Sequence, residues 1–361
     1  MKSIANKNIF KVTPYPPGKP IDEVKRSLGL EKVFKLASNE NPYPPSPKVL
    51  AQIAKESKML NRYPDGSCFY LRQVLAKRFK VSQKQLIFGN GSDEIIIMAA
   101  RAFAGRGDEV IVAQPTFLMY QIASRISGAI IKAVAQKNHR YDLKAIKKAV
   151  TPKTKIIFIA NPDNPTGTYV TKKEVEMFLK GLRKDILVFF DEAYFEFVEK
   201  KDYPDTLNLL KQYKNIIVTR TFSKFYSLAG LRIGYGVASE ELIDILNRVR
   251  EPFNVNSIAQ TAALTALEDK KYYTDVFKII KKEKRYLCQQ ITKMGLTFVK
   301  SETNFILINV KSDSTKIFQQ LLHKGIIVRD MTSWGLAGFI RVTVGRTNEN
   351  KYFIKALKEI L

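Results

Sequence analysis

The chain is poor in cysteine and histidine. Its two cysteines, Cys68 and Cys288, lie far apart and show no metal-ligand spacing, which suits a reducing, cytoplasmic setting. Two histidines, His139 and His323, argue against a His-centred metal site or a serine-hydrolase triad, so no metal is expected. No apolar block of signal-peptide length follows "MKSIANKNIFKV", and no later run approaches a membrane span. Acids are also scarce, 34 against 60 Lys and Arg, for a net charge of +26. Nucleic-acid binding would need that charge gathered on one surface. Here the lysines are spread over the whole length at helical spacing, and "KIIKKEKRYL" resembles the wet face of an amphipathic helix. The charge therefore points to anionic small molecules, with no nucleic-acid or membrane partner expected.

What is present is a core. An apolar fraction of 45% over 361 residues is ample for a large globular fold of two domains. The middle of the chain alternates β-rich runs with helical patterns: "QLIFGN" then "SDEIIIMAARAFAG", "DEVIVAQP" then "FLMYQIASRISG", "TKIIFIA" then "TKKEVEMFLKGL". "ILVFFDEAY" and "NIIVTRTF" follow. Runs that are apolar throughout predict strands buried on both faces, and the alternation predicts a mainly parallel sheet in a three-layer α/β domain. The last third differs. A helical stretch over about 255–294 leads to "LTFVKS", "NFILINV", "GIIVRD" and "FIRVTVG", predicting a smaller α+β domain. The expected division is an N-terminal arm with part of the small domain over 1–40, a large domain over 41–255 and a small domain over 256–361. The Pro-rich "TPYPPGKP" reads equally as a packed extended arm or a loose tail.

Four segments fall at predicted strand ends, where open α/β sheets place their ligands. "GNGSDE" offers free amides of Gly91, Ser92 and Asp93 at a helix start, an anion seat or simply a helix cap. "NPDNPTG" is ordinary turn chemistry taken alone. In "VFFDEAY", Asp191 ends a run of apolar residues, and a carboxylate there is costly without a cationic partner. "RTFSKFYSLAGLRIGYG" places Lys224 at the mouth of a buried strand with Arg232 behind it. A buried acid, a buried amine, anion seats and an arginine together describe the needs of pyridoxal phosphate.

In this order and spacing, "NPDNPTG", "DEAY" and "SKFYSLAGLRIGY" resemble the fold-type-I aminotransferases of the aspartate-aminotransferase superfamily. "NENPYPPSP", "RYPD", "GNGSDE", "TNFILI", "GIIVRD" and "IRVTVG" narrow the resemblance to the histidinol-phosphate aminotransferase family, from about residue 10 to the end. The resemblance implies a homodimer with shared sites, pyridoxal 5'-phosphate as cofactor, and histidinol phosphate and 2-oxoglutarate/glutamate as substrates. It implies that Lys224 holds the cofactor covalently and shuttles a proton, and that Asp191 pairs with the ring nitrogen. Tyr194 and Asn164 would reach the ring oxygen. Thr221, Ser223, Arg232 and the Gly91–Ser92–Asp93 backbone would hold the phosphate. Phe117 would stack on the ring, with Tyr120 as the alternative, and Tyr63 would reach the opposite subunit's cofactor. Arg329 and Arg341 would bind the substrate's anionic groups, with Tyr15 and Asn39 closing over them. "GRTNEN" departs from the family's usual pattern, which displaces Arg346 by one position. A broader aromatic or other amino-acid aminotransferase, or a threonine-phosphate decarboxylase of the same fold, would share "NPTG" and "SKFY"; "NENPYPPSP" and "GIIVRDM" favour the transaminase. A transcription regulator of this type would need a DNA-binding domain, for which the first forty residues are too short and proline-rich.

Overall fold

The computed structural model describes residues 4–361. Its strands, in chain order, are β1 (Phe34–Lys35), β2 (Leu86–Gly89), β3 (Glu109–Gln114), β4 (Ile130–Ala135), β5 (Thr154–Ala160), β6 (Leu187–Asp191) and β7 (Ile216–Thr221). They continue with β8 (Gly234–Ala238), β9 (Thr297–Val299), β10 (Phe305–Asn309), β11 (Ile326–Ile327), β12 (Arg329–Asp330) and β13 (Phe339–Thr343).

Seven strands form the main sheet in the order β2-β8-β7-β6-β5-β3-β4. β3 to β7 run parallel, while β8 lies antiparallel between β2 and β7. The expected three-layer α/β architecture is therefore present, with one strand the hydrophobic runs do not announce. Three of the five residues of "GYGVA" are glycine or alanine, which weaken any strand signal. Its glycines have a use here: a Cβ on Gly236 would stand 3.0 Å from Ile87. β5, β6 and β7 are buried almost end to end, as a central parallel sheet requires. β4, at the sheet edge, alternates toward solvent and carries Lys132.

The last third forms an antiparallel sheet, β12-β13-β10-β9, and a parallel two-residue pairing of β1 with β11. "GIIVRD" thus divides between two sheets, with Val328 belonging to neither strand. The helical stretch expected over about 255–294 is two helices, Ser257–Glu268 and Lys270–Lys293, which meet at Asp269. One hydrophobic cluster fills the space around the seven-stranded sheet and another lies beneath β10 and β13. Val12–Pro20 runs without helix or strand. Among the described residues no helix is long and apolar enough to cross a membrane.

Candidate active site

The carboxyl ends of β5, β6 and β7 open into a cavity of about 360 Å³. Strand periodicity decides which side chains face it, since neighbours along a strand point to opposite sides. Asp191 and Thr221 face the cavity. Their neighbours Glu192 and Arg220 face away and pair with each other, Arg220 Nη2 to Glu192 Oε2 at 2.8 Å, both side chains buried.

Asp191 is buried and makes no ion pair among the described residues. Its Oδ2 accepts from the Tyr120 hydroxyl at 2.7 Å and its Oδ1 from the Ala193 amide at 3.2 Å. Burial pushes its carboxyl up to about 6, against the opposing pull of the Tyr120 bond. Such a group is primed for a positive partner.

Lys224, half-buried, follows β7 by three residues and donates from Nζ to the Ser38 carbonyl at 3.2 Å. Burial, then the neighbouring Arg341, push its amine down to about 8. A lysine held near neutrality can serve as nucleophile or base without a strong external base.

One end of the cavity is an anion seat. The helix Ser92–Phe103 presents its first turn there, preceded by Gly91 at φ 81°. A Cβ on Gly91 would come 2.5 Å from Arg232 Nη2, and one on Gly234 would come 2.5 Å from the Ser92 amide. Glycine is therefore required at both places for backbone and arginine to close together. Arg232 Nη2 also lies 3.3 Å from Asp93 Oδ2, and the Thr221 and Ser223 hydroxyls are joined at 2.9 Å.

The opposite end is cationic. β12 pairs with β13 so that Arg329 and Arg341 stand directly across from each other. Like charges so placed repel unless an anion joins them. Arg341 is 5% exposed; it donates to Asn164 Oδ1 and, at 2.8 Å, to the Ala37 carbonyl, yet its buried Nε has no acceptor. Arg329 Nη2 donates to the Pro16 carbonyl at 2.7 Å, which ties the N-terminal arm to the rim. Asn39 Nδ2 donates to the Tyr194 hydroxyl at 2.8 Å.

The cavity thus brings together Tyr15, Asn39, Ser92, Asp93, Phe117, Asn164, Asp191, Tyr194, Thr221, Ser223, Lys224, Arg232, Arg329 and Arg341. Gly91 adjoins it through Arg232. Tyr63 does not reach it: its ring is 84% exposed and stacks on Phe253, centroids 4.9 Å apart. Both ring candidates, Phe117 and Tyr120, line the cavity, and Tyr120 spends its hydroxyl on Asp191 and a face on Phe158, at 4.8 Å. Arg346 lies elsewhere, donating to the Pro42 carbonyl at 2.8 Å with its guanidinium over Tyr43. Sequence reasoning missed Lys35, the Ser38 carbonyl and the Glu192–Arg220 pair. The last was readable, since an acid and an arginine one place out of phase with Asp191 and Thr221 must share the other face. A planar cofactor bearing a phosphate, an electrophilic carbon and a basic ring nitrogen fits these groups: seat, amine and unpaired carboxylate each meet one of its parts.

Comparison with known proteins places these features in a family. Residues 31–357 match the model of aminotransferase class I and II. The chain is 46% identical over 354 residues to a histidinol-phosphate aminotransferase of Moorella thermoacetica, covering 98% of this chain and 92% of that one. It is 46% identical over 353 residues to the enzyme so named from Caldicellulosiruptor saccharolyticus, covering 98% and 99%. In fold it is similar to the crystal structure of a histidinol-phosphate aminotransferase from Sinorhizobium meliloti in complex with pyridoxal-5'-phosphate. That match has a TM-score of 0.90 and 24% identity, covering 99% of both chains.

Proposed function

The chain belongs to the class I and II aminotransferases, and from that premise we propose that it acts as a histidinol-phosphate aminotransferase. It transfers the amino group of L-histidinol phosphate to 2-oxoglutarate, giving imidazole acetol phosphate and L-glutamate, a step of histidine biosynthesis. Its cofactor is pyridoxal 5'-phosphate. The observation that carries the reading is one cavity holding Lys224 and an unpaired Asp191, with an anion seat at one end and facing arginines at the other.

When bound, the cofactor supplies an electron-withdrawing ring and a carbonyl carbon that accepts an amino group and gives it back. Lys224 Nζ would hold that carbon covalently and, when free, would hold or move a proton at that nitrogen. Its depressed basicity supports that double use. The Asp191 carboxylate holds a positive ring nitrogen in place, and the Tyr120 hydroxyl orients Oδ2 for it. Tyr194 accepts from Asn39 and so keeps its own hydrogen free for the ring oxygen; Asn164 gives Oδ1 to Arg341 and keeps its amide hydrogens. Thr221, Ser223, Arg232 and the Gly91–Ser92–Asp93 amides hold the phosphate. Phe117 covers the ring. Arg329 and Arg341 bind the anionic groups of both substrates in turn, and Tyr15 and Asn39 close over them.

The reading extends to a cytoplasmic homodimer in which Tyr63 serves the partner's cofactor. Exposed Leu60, Tyr63 and Phe253, which line one surface hollow, support it. We assign 41–255 to a large cofactor-binding domain and 256–361 to a small one; separate hydrophobic clusters support two domains, although the large one's cluster also takes in the helix Ser257–Glu268. The pairing of β1 with β11 supports placing part of the 1–40 arm with the small domain; residues 1–3 lie outside the described residues.

The test is an amino-donor panel that scores oxo-product and carbon dioxide separately. Histidinol phosphate should be the preferred donor, with no carbon dioxide released. Equal use of unphosphorylated histidinol would reduce the assignment to a general aminotransferase.

A further inference from the structure

Lys35 also lines the cationic end of the cavity. It sits on β1, level with Ile327 of β11, and the Leu36 amide donates to the Ile327 carbonyl at 2.7 Å. That pairing delivers Lys35 beside the chain that reaches Arg329 two residues later. Its Nζ lies 3.1 Å from Glu40 Oε1, with side chains 21% and 44% exposed respectively. Glu40 lies on the wall of an adjoining hollow with Asn41 and Glu349, and Lys35 stands between the two, lining both. The cavity's own acids, Asp93 and Asp191, are engaged by Arg232 and Tyr120. Lys35, Arg329 and Arg341 therefore all line this cavity, and neither of its acids pairs with any of them.

On the functional reading above, the two substrates make different demands of this end. A carboxylate has two oxygens and one charge, which the opposed Arg329 and Arg341 can satisfy. A phosphate monoester has three terminal oxygens and a charge of roughly −1.5 to −2 near neutrality. It leaves an oxygen and about a further half to one charge for a third cation. Lysine suits that place, as its ammonium sits on a flexible stem and can change partners. Leaving Glu40 costs little, because the pair is partly exposed and Glu40 returns to water.

We propose that Lys35 is a specificity-determining residue that exchanges Glu40 for the phosphate of the amino donor and is dispensable for the dicarboxylate acceptor. It favours a phosphorylated donor over its unphosphorylated counterpart without touching the reacting carbon.

The holoenzyme with Lys35→Met tests this. The KM for histidinol phosphate should rise about tenfold, while the KM for 2-oxoglutarate stays within about twofold. Inhibition by inorganic phosphate should weaken in parallel. Lys35→Arg should retain most of the parent's preference. Glu40→Gln frees Lys35 and should leave the donor KM unchanged or lower, whereas a merely structural ion pair would make it behave like Lys35→Met. Equal rises in both KM values, or a Glu40→Gln enzyme matching Lys35→Met, would overturn the proposal. A parent enzyme that uses histidinol phosphate while Lys35→Met keeps its substrate ratio would overturn this inference alone. A parent unable to use histidinol phosphate would overturn the functional reading and this inference with it.

Discussion

The hydroxyl of Tyr120 donates to Oδ2 of Asp191 at 2.7 Å from a ring that is wholly buried and stacked on Phe158. The bond favours the charged carboxylate in a place where burial opposes charge. A graded effect is expected. Tyr120→Phe keeps the packing but removes the donor, and turnover should fall about tenfold. Asp191→Asn should leave the fold intact and reduce turnover far more, because an amide cannot balance a positive ring nitrogen. Steady-state rates with equilibrium dialysis of the cofactor check both. A well-folded Asn variant with near-normal turnover would show that Asp191 faces some other group.

Lys224 should reveal itself twice. Borohydride treatment of the holoenzyme followed by peptide mapping should recover the cofactor on Lys224 and on no other lysine. The apoprotein offers an independent test. The native amine titrates near 8 and the unfolded one near 10.5. Between those values the unfolded chain binds the extra proton, so the stability of the apoprotein rises with pH through that window. Lys224→Met should reduce the rise, leaving the part due to Lys284, whose amine burial also pushes down to about 8, and stabilise the apoprotein near pH 7 by on the order of 1–2 kcal/mol. Urea titrations from pH 7 to 10.5 measure it; a parallel pH dependence in both proteins would refute the assignment of a buried, proton-poor amine.

Arg341→Ala should weaken histidinol phosphate and 2-oxoglutarate together, since they take turns in one pocket. Losing this charged donor should cost about 2–4 kcal/mol in apparent transition-state binding. Cofactor retention should not change if, as proposed, Arg232 rather than Arg341 holds the phosphate. Loss of the cofactor from the variant would place Arg341 in the wrong role.

The Glu192–Arg220 pair behind the strand ends should matter for stability rather than for substrate choice. Arg220→Met leaves Glu192 buried without its partner and should destabilise by about 3–5 kcal/mol. The double variant Glu192→Gln/Arg220→Met should recover much of the loss. Denaturation midpoints of the three proteins decide the matter, and a double variant no better than the single one would contradict the argument.

The proposed sharing of sites between subunits makes a different kind of prediction. Tyr63→Ala and Lys224→Ala chains, each impaired alone, should regain activity when refolded together, because hybrid dimers contain one site with both residues intact. No gain on mixing would confine each site to a single chain.

Much of this site was readable before any coordinates. Lys224, Asp191 and the Asn164 loop each follow a long apolar run, and a strand that buries both faces leaves only its end for chemistry. Arg329 and Arg341 could be named but not opposed, since their facing positions depend on the register of β12 against β13. Tyr120 was visible as a possible ring partner; only packing on Phe158 shows where its hydroxyl must go. Lys35 and the Ser38 carbonyl left no trace, because their place depends on a two-residue pairing of β1 with a strand nearly three hundred positions away. The glycine-rich β8 was hidden for the opposite reason: its neighbours select it for lack of side chains.

That strand also sets a timetable. β3 to β7 find their neighbours within a short span of chain, so they can pair as a ribosome delivers them. β2 cannot, for its one sheet neighbour is β8, which emerges long afterwards. Until then the Ser92 amide has no Gly234 beside it and Gly91 has no Arg232. A nascent or truncated chain that stops short of β8 can therefore display Lys224 and Asp191 and still lack a seat for phosphate. Completion of the phosphate seat is therefore a late event in the life of the polypeptide.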